Sequence, residues 1–418
     1  MERSQEFSEV ESSSAEVQRA QAREGFSGRK LFCPKAVNSF AACPRYRYVR
    51  RARLRACVEG VESAGEANIT EMEPLPAPVP LWRHPEMRVG DKALNAILGC
   101  MGWPFPANAP TPVQLAAFRA RIDAISAAGF AQETAKKGWK ETALRVPRAD
   151  GGGTIEVLVL TRFENLAFGA KAPLIVHFHG GAFTAGTPRD ANTAPLWNKL
   201  WDECGVQPCV ASVAYRVAPE HPAPAAFDDA MAAVKFLLRS DELGLRFLYE
   251  PARVHLSGSS AGAAIALAVG AALCRSGDAS AVGSLFLDCP MLDPRCDTPS
   301  YARNASAARL APTKWTRWAW PAYLGDGRTA EEALADPRVC PHAAPGALAG
   351  VGGVRTVVAT ALADTLHDEG AAAAAALAAA GAAVHHVEIR GSHCGWLFDK
   401  GAAQRAVAAL AENLSAEF

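Results

Sequence analysis

The chain has no excess of charge: 43 Lys and Arg stand against 43 Asp and Glu in 418 residues. No global field therefore marks nucleic acid or an anionic membrane surface as its partner. It has no run of eighteen apolar residues, so no helix is expected to span a membrane. No apolar stretch of the kind that follows a basic start in a secretory signal appears near the N-terminus, and a cytoplasmic location is expected. The eleven cysteines are odd in number and contain no C-x-x-C pair. That argues for reduced thiols over a disulfide framework, with a Cys204–Cys209 bridge as the one local pairing left open. H-E-x-x-H and similar ligand spacings are missing too, so neither a metal nor a cofactor is expected.

What is present is a chain that is 50% hydrophobic, enough for a large core. Residues 1–71 are of different material. They are rich in Glu and Ser, then carry a basic run from Arg45 to Arg55, and show no clear apolar period. The expectation is a weakly ordered extension, with Met72 as an alternative start, just ahead of the Pro-rich stretch Pro74 to Pro80. Residues 72–140 read as a helical contribution outside the main sheet. Leu94, Ile97 and Leu98, then Leu115, Phe118, Ile122 and Ile125, recur at helical spacing. From 141 to 418 the period changes. Thr142–Val146 and Thr154–Leu160, around Asp150-Gly151-Gly152-Gly153, predict an antiparallel hairpin at a sheet edge. Six short apolar strands follow, at 173–178, 209–214, 254–257, 285–289, 354–360 and 384–389, alternating with helices at 195–204, 225–239, 261–274 and 369–380. This pattern predicts a mostly parallel sheet flanked by helices, with functional loops at the strand C-terminal ends. An insert at about 291–345 interrupts the alternation and carries Trp315, Trp318, Trp320 and Tyr323.

One stretch organises the chemistry. Gly258-Ser259-Ser260-Ala261-Gly262 joins the apolar strand ending at Ser257 to an Ala-rich helix, the context a G-x-S-x-G nucleophile elbow requires. Ser260 is the expected nucleophile. Acyl transfer also needs a base, a group to orient it and donors for the developing oxyanion. His393, in Gly391-Ser392-His393-Cys394-Gly395 after the last strand, is the expected base. His385 and His386 fall within that strand, one expected in the packing and the other toward solvent. Asp364, three residues beyond Ala361, is the expected acid, with Asp368 as a rival in the first turn of the next helix. His179-Gly180-Gly181 closes the first parallel strand, so Gly180, Gly181 and the N–H of Ala261 are expected to supply oxyanion donors, with His179 positioning the loop. Phe183, Ser259, Trp315, Trp320 and Trp396 are the expected pocket residues.

With Tyr215-Arg216-Val217-Ala218-Pro219-Glu220-His221-Pro222-Ala223-Pro224-Ala225 added to the elbow and to His179-Gly180-Gly181, the chain resembles the hormone-sensitive-lipase-like group of α/β-hydrolase esterases. The resemblance runs well from about Pro173 to the C-terminus and loosely over the helices before it. It implies an α/β-hydrolase fold with a helical cap, and the family's serine, acid and base fall on Ser260, Asp364 and His393. Ser259 stands where the family usually has Asp, Ala214 where Asp commonly precedes the Tyr-Arg pair, Thr365 where Pro commonly follows the acid, and Cys394-Gly395-Trp396 replaces the usual Gly-Phe. The expected activity is hydrolysis of small, short- to medium-chain acyl esters by a monomer or homodimer. The alternatives are an amidase or deacetylase with the same triad, and a ligand-binding protein such as the gibberellin receptors, which lack the histidine.

Overall fold

The computed structural model describes residues 83–87, 92, 109–162, 171–191, 193–305, 312–395 and 399–415. The expectations for residues 1–71, for the helix containing Leu94, Ile97 and Leu98, and for Trp396 lie outside these. The strands are β1 (Lys140–Pro147), β2 (Thr154–Thr161), β3 (Leu174–Phe178), β4 (Cys209–Ala214), β5 (Val254–Ser259), β6 (Val282–Asp288), β7 (Arg355–Ala361) and β8 (Ala383–Ile389). They form one sheet in the order β1-β2-β4-β3-β5-β6-β7-β8. β1 pairs antiparallel with β2 and β2 with β4, while every pairing from β4 through β8 is parallel. The direction of chain progress reverses between β3 and β5. In an open α/β sheet, that reversal opens a crevice at the strand C-terminal ends.

The helices are α1 (Pro112–Lys137), α2 (Ala194–Cys204), α3 (Ala225–Leu238), α4 (Asp241–Phe247), α5 (Ala261–Arg275), α6 (Pro299–Arg303), α7 (Thr313–Leu324), α8 (Ala330–Leu334), α9 (His367–Ala379) and α10 (Lys400–Ser415). Alternation along each strand divides the core between the two sheet faces. Val157, Val159, Val176 and Leu256 pack with α3, α5 and α9, whereas Leu158, Leu160, Ile175 and Phe286 pack with α2 and α10. Helix α5 lies close on the sheet because its sequence is almost all small: a Cβ on Gly270 would come within 2.8 Å of Leu285 Cδ2.

Two buried histidines in the central strands are paired with serines of the neighbouring strands. His177 meets Ser257 at 3.1 Å and His255 meets Ser284 at 2.9 Å, and burial lowers both imidazoles to about 3, so both are neutral. β8 is an edge strand, so His385 and His386 are both exposed. The expectation that one would enter the packing is corrected: His386 only reaches across to Thr360, at 2.8 Å.

Helix α1 is tied to the loops at the sheet's C-terminal end. Thr111 and Gln114 close a capping box at its start, and Gly138 ends it in the left-handed conformation. Midway, the Arg119 guanidinium donates to the carbonyls of Ala218 and Thr184 and to both carboxylate oxygens of Glu220. The Tyr-Arg stretch is held from the other side: Arg216 makes a forked bond to the buried carboxylate of Asp229 at 2.9 and 2.8 Å. Cys204 and Cys209 are both free thiols.

Candidate active site

Ser260 follows β5 with φ 56° and ψ −118°, a left-handed conformation that costs a non-glycine residue energy and persists only where its surroundings impose it. Those surroundings are explicit. A Cβ on Gly258 would lie 2.1 Å from the carbonyl oxygen of Gly262, and one on Gly262 would lie 2.1 Å from that of Phe178. Only glycine lets strand, turn and helix approach this closely. The turn is also fastened to β6: the Ser260 N–H donates to Asp288 O at 2.8 Å, and the Met291 N–H donates to Ser260 O at 3.1 Å.

Asp364 and His393 come from the loops after β7 and β8 and meet at 2.6 Å between Oδ2 and Nδ1. Both are buried. Asp364 Oδ1 accepts the Leu366 N–H at 3.1 Å, and its backbone carbonyl accepts Asn304 Nδ2 at 2.6 Å. Asn304 reaches in turn to His84, at 3.0 Å. Thus a residue of the insert and one from before α1 both brace the acid loop. For His393, burial works against the charged ring, but the Asp364 carboxylate outweighs it and raises the pKa well above its ordinary value. The site is therefore built to stabilise an imidazolium. Asp368 is engaged elsewhere, by the Ser300 N–H at 2.8 Å and by Arg303 at 2.9 Å, in the first turn of α9.

The loop after β3 lies beside the elbow: a Cβ on Gly180 would come within 3.2 Å of Ser259 O and 3.5 Å of Ser260 Cβ. Gly181 has φ 121°, and its carbonyl accepts the N–H groups of Thr184 and Ala185. Among the described residues, no backbone carbonyl receives the N–H of Gly180 or Gly181, and Ala261 is the first residue of α5, where helical N–H groups have no partner within the helix. His179 stacks on Tyr215 at 4.2 Å and contacts the Gly180 carbonyl through Nδ1 at 2.8 Å, while the Tyr215 hydroxyl donates to His179 O at 2.7 Å. Burial lowers the His179 pKa to about 4, so it stays neutral and fixes the loop.

A cavity of about 240 Å³ brings Ser260, His393, His179, Gly180, Gly181 and Ser259 together under Phe118, Ile122 and Ile125 of α1 and Trp315 of α7. Trp315 packs on Phe118 with centroids 4.7 Å apart. Two of the expected pocket residues are placed elsewhere. Phe183 stacks on Tyr323 at 3.9 Å and Trp320 tilts against Phe183 at 5.2 Å, both fully buried, because they join the insert to the sheet layer.

Asp288 was not foreseen. It ends β6 in register with Ser259, accepts the Ser259 hydroxyl at 3.3 Å, and is buried, which raises its pKa. The carboxylate that the family usually carries beside the nucleophile thus has a counterpart on the neighbouring strand. Cross-strand register was the only signal that could have found it. Cys289, His393 and Cys394 also group their ligand atoms within 4.8 Å of one another, which no sequence spacing suggested.

A model of the alpha/beta hydrolase fold family matches residues 175–398. The chain is 36% identical over 222 residues to the carboxylic ester hydrolase LipN of Mycobacterium tuberculosis, covering 52% of this chain and 55% of that protein. It is 32% identical over 162 residues to the arylacetamide deacetylase of Oryctolagus cuniculus, covering 38% of this chain and 40% of that one. The matched stretches thus span about half or less of these relatives. Among solved structures, a bacterial heroin esterase superposes with a TM-score of 0.63 at 25% identity, over 76% of this chain and 97% of its own. An elbow serine after β5, an acid after β7, a histidine after β8 and a family match over more than half the chain place it in the α/β-hydrolase family, within the hormone-sensitive-lipase-like group.

Proposed function

We propose that the protein is a serine carboxylesterase acting on small acyl esters. The observation that carries this reading is the buried 2.6 Å Asp364–His393 pair, whose histidine shares one cavity with Ser260 on its strained turn. Ser260 Oγ adds to the ester carbonyl carbon as His393 Nε2 takes its proton, and the Asp364 carboxylate holds the resulting imidazolium. The carbonyl oxygen, now anionic, is received by the N–H groups of Gly180, Gly181 and Ala261, each such donor contributing roughly 3 kcal/mol to the transition state. Collapse breaks the bond to the alcohol oxygen, which leaves with the proton from His393. Water then repeats the sequence on the acyl-serine, releasing the acid and restoring Ser260.

The cavity volume is close to the lower end of small-molecule pockets, which run from roughly 300 Å³ upward. Its walls from α1 and α7 are largely apolar. Both features favour acyl chains of about two to eight carbons, because each further CH₂ gains about 0.8 kcal/mol only while there is room for it. A panel of nitrophenyl esters from acetate to palmitate, beside a nitroanilide, tests the reading. Short esters should turn over fastest and the anilide slowest. Faster palmitate turnover would contradict the size assignment, and anilide hydrolysis above ester hydrolysis would make the protein an amidase. A purely ligand-binding role is disfavoured by His393 itself, which such a role would not need.

A further inference from the structure

The loops that place His393 also place two thiols beside it. Cys289 follows β6 and Cys394 follows His393, and their sulfur atoms and a ring nitrogen of His393 all lie within 4.8 Å of one another. The Cys394 N–H donates to Cys289 Sγ at 3.4 Å, which fixes the two loops together at this point. Neither thiol has a part in acyl transfer. A second feature points to a cation here. Asp288 is 2% exposed, and its carboxyl lies against both thiols, which with the Ser259 hydroxyl are the donors around it among the described residues. A carboxyl buried with weak thiol donors beside it is poorly compensated, and a cation held by the same two sulfurs would compensate it better.

We propose that Cys289, Cys394 and His393 form a binding site for a thiophilic divalent cation of the Zn²⁺ type, and that metal binding there switches the hydrolase off. Two sulfurs and one imidazole suit a borderline-soft metal and not Mg²⁺ or Ca²⁺, which require oxygen ligands. Bonds of about 2.3 Å to sulfur and 2.0–2.1 Å to nitrogen put tetrahedral ligand atoms roughly 3.5–3.8 Å apart. The largest separation here therefore has to close by about 1 Å, within reach of side-chain rotation. On binding, each thiol loses its proton to solvent as its metal–sulfur bond forms, and no electron is transferred. Asp364 already holds one ring nitrogen of His393, the carboxylate–histidine arrangement that orients many metal ligands. Capture of either ring nitrogen removes the base: Nε2 is the atom that must accept the serine proton, and Nδ1 is the atom that Asp364 holds. The binding site stands on geometry alone, whereas its effect on turnover rests on the assignment of His393 as the base.

The test has two arms, each run on the reduced full chain. In the first, equilibrium dialysis against low micromolar Zn²⁺ counts bound metal in the wild type and in Cys394→Ser, with Co²⁺ as a second probe. The wild type should hold one more tightly bound Zn²⁺ per chain than the variant, and its Co²⁺ adduct should show a near-ultraviolet sulfur-to-metal band that the variant loses. Cys289→Ser serves as a second variant and should give the same loss. In the second arm, ester hydrolysis is measured with and without Zn²⁺ for each protein, and each is normalised to its own metal-free rate. The half-inhibitory Zn²⁺ concentration should rise at least tenfold in Cys394→Ser, and a chelator should restore the wild-type rate. Equal metal counts in the wild type and both variants would overturn the site. Metal bound through these thiols with unchanged turnover would overturn His393 as the third ligand, and the switch with it, while leaving its assignment as the base untouched.

Discussion

Replacing Asp364 by Asn keeps the shape of the acid and changes one thing, the direction of a hydrogen bond. In the wild type, the Asp364 carboxylate can only accept, so His393 Nδ1 must carry the proton across the buried 2.6 Å contact, and Nε2 is left free for the proposed role of base. The Asn carbonyl can still take the Leu366 N–H that Oδ1 accepts at 3.1 Å. Its amide N–H₂ then faces Nδ1 and selects the other tautomer, which puts a proton on Nε2, the atom that has to receive one. The negative charge that stabilises the imidazolium is lost as well. Together these should lower kcat by roughly 10⁴, about 5 kcal/mol at 1.36 kcal/mol per decade. KM should change less than threefold, because Asp364 does not line the cavity. The assay is butyrate ester hydrolysis under saturating substrate, with thermal unfolding to show that the variant is folded. A folded Asp364→Asn protein with kcat within tenfold of wild type would refute the assignment. Asp368→Asn is the control. Its one remaining oxygen can keep either the Ser300 N–H or the Arg303 contact but not both, and the charge paired with Arg303 is lost, so it should lower the melting temperature while leaving kcat within about threefold.

Gly262→Ala would drive a Cβ to 2.1 Å from Phe178 O and 2.5 Å from His179 O. It should cost at least about 2 kcal/mol of stability by thermal or denaturant unfolding and lower kcat by roughly 10² or more, because the displaced backbone carries both the proposed nucleophile and a proposed oxyanion donor. Arg119→Ala removes the guanidinium that joins α1 to the Thr184 and Ala218 carbonyls, and should destabilise by about 1–2 kcal/mol in denaturant melts and raise KM more than it lowers kcat. For acid stability, burial works to raise the Asp336 carboxyl, but hydrogen bonds from Arg338 and Arg328 hold it at about 2. A depressed carboxylate contributes stability above its unfolded value near 4, and that contribution is lost as pH falls from there through 2. Asp336→Asn should therefore lower stability at pH 7 by about 1–2 kcal/mol, reduced from the full shift by the exposure of Arg338, and the difference from wild type should shrink toward pH 2.

Much of this architecture was legible because the central strands carry strong local signals. Leu174–Phe178 and Val254–Ser259 are short apolar runs bounded by turn residues, and a strand buried on both faces has no other way to appear. The sequence places the start of β6 at Leu285, three residues after its true start at Val282, because Gly283 and Ser284 are poor strand formers. They fit only because Ser284 pairs with His255, and Gly283 leaves room for that ring at 2.6 Å. Helix α10 was missed although Ala402, Ala406, Leu410 and Leu414 repeat at helical spacing on a buried face, a signal weakened by small residues. Candidate site residues that sit in motifs, such as Ser260 and His393, are legible in the sequence. Asp288 and Asn304 did not, since each matters through a contact made across the sheet or between distant loops. The pocket was legible only in part. Composition placed Trp315 and Trp320 alike, and it is the helical phase of α7 against Phe183 and Phe118 that puts one in the cavity and the other in the core.

The central claim is that Ser260, His393 and Asp364 act as one nucleophilic unit. The most direct measurement is the mass of the protein after reaction with an aryl phosphonate ester, a mimic of the tetrahedral intermediate, followed by peptide mapping. The account predicts one phosphonyl group per chain, on Ser260, with loss of esterase activity in proportion to labelling. It also predicts labelling slowed by at least roughly 10³ in His393→Ala, since the serine then has no base. Labelling confined to Ser257 or Ser259, or full esterase activity in a folded Ser260→Ala protein, would contradict it.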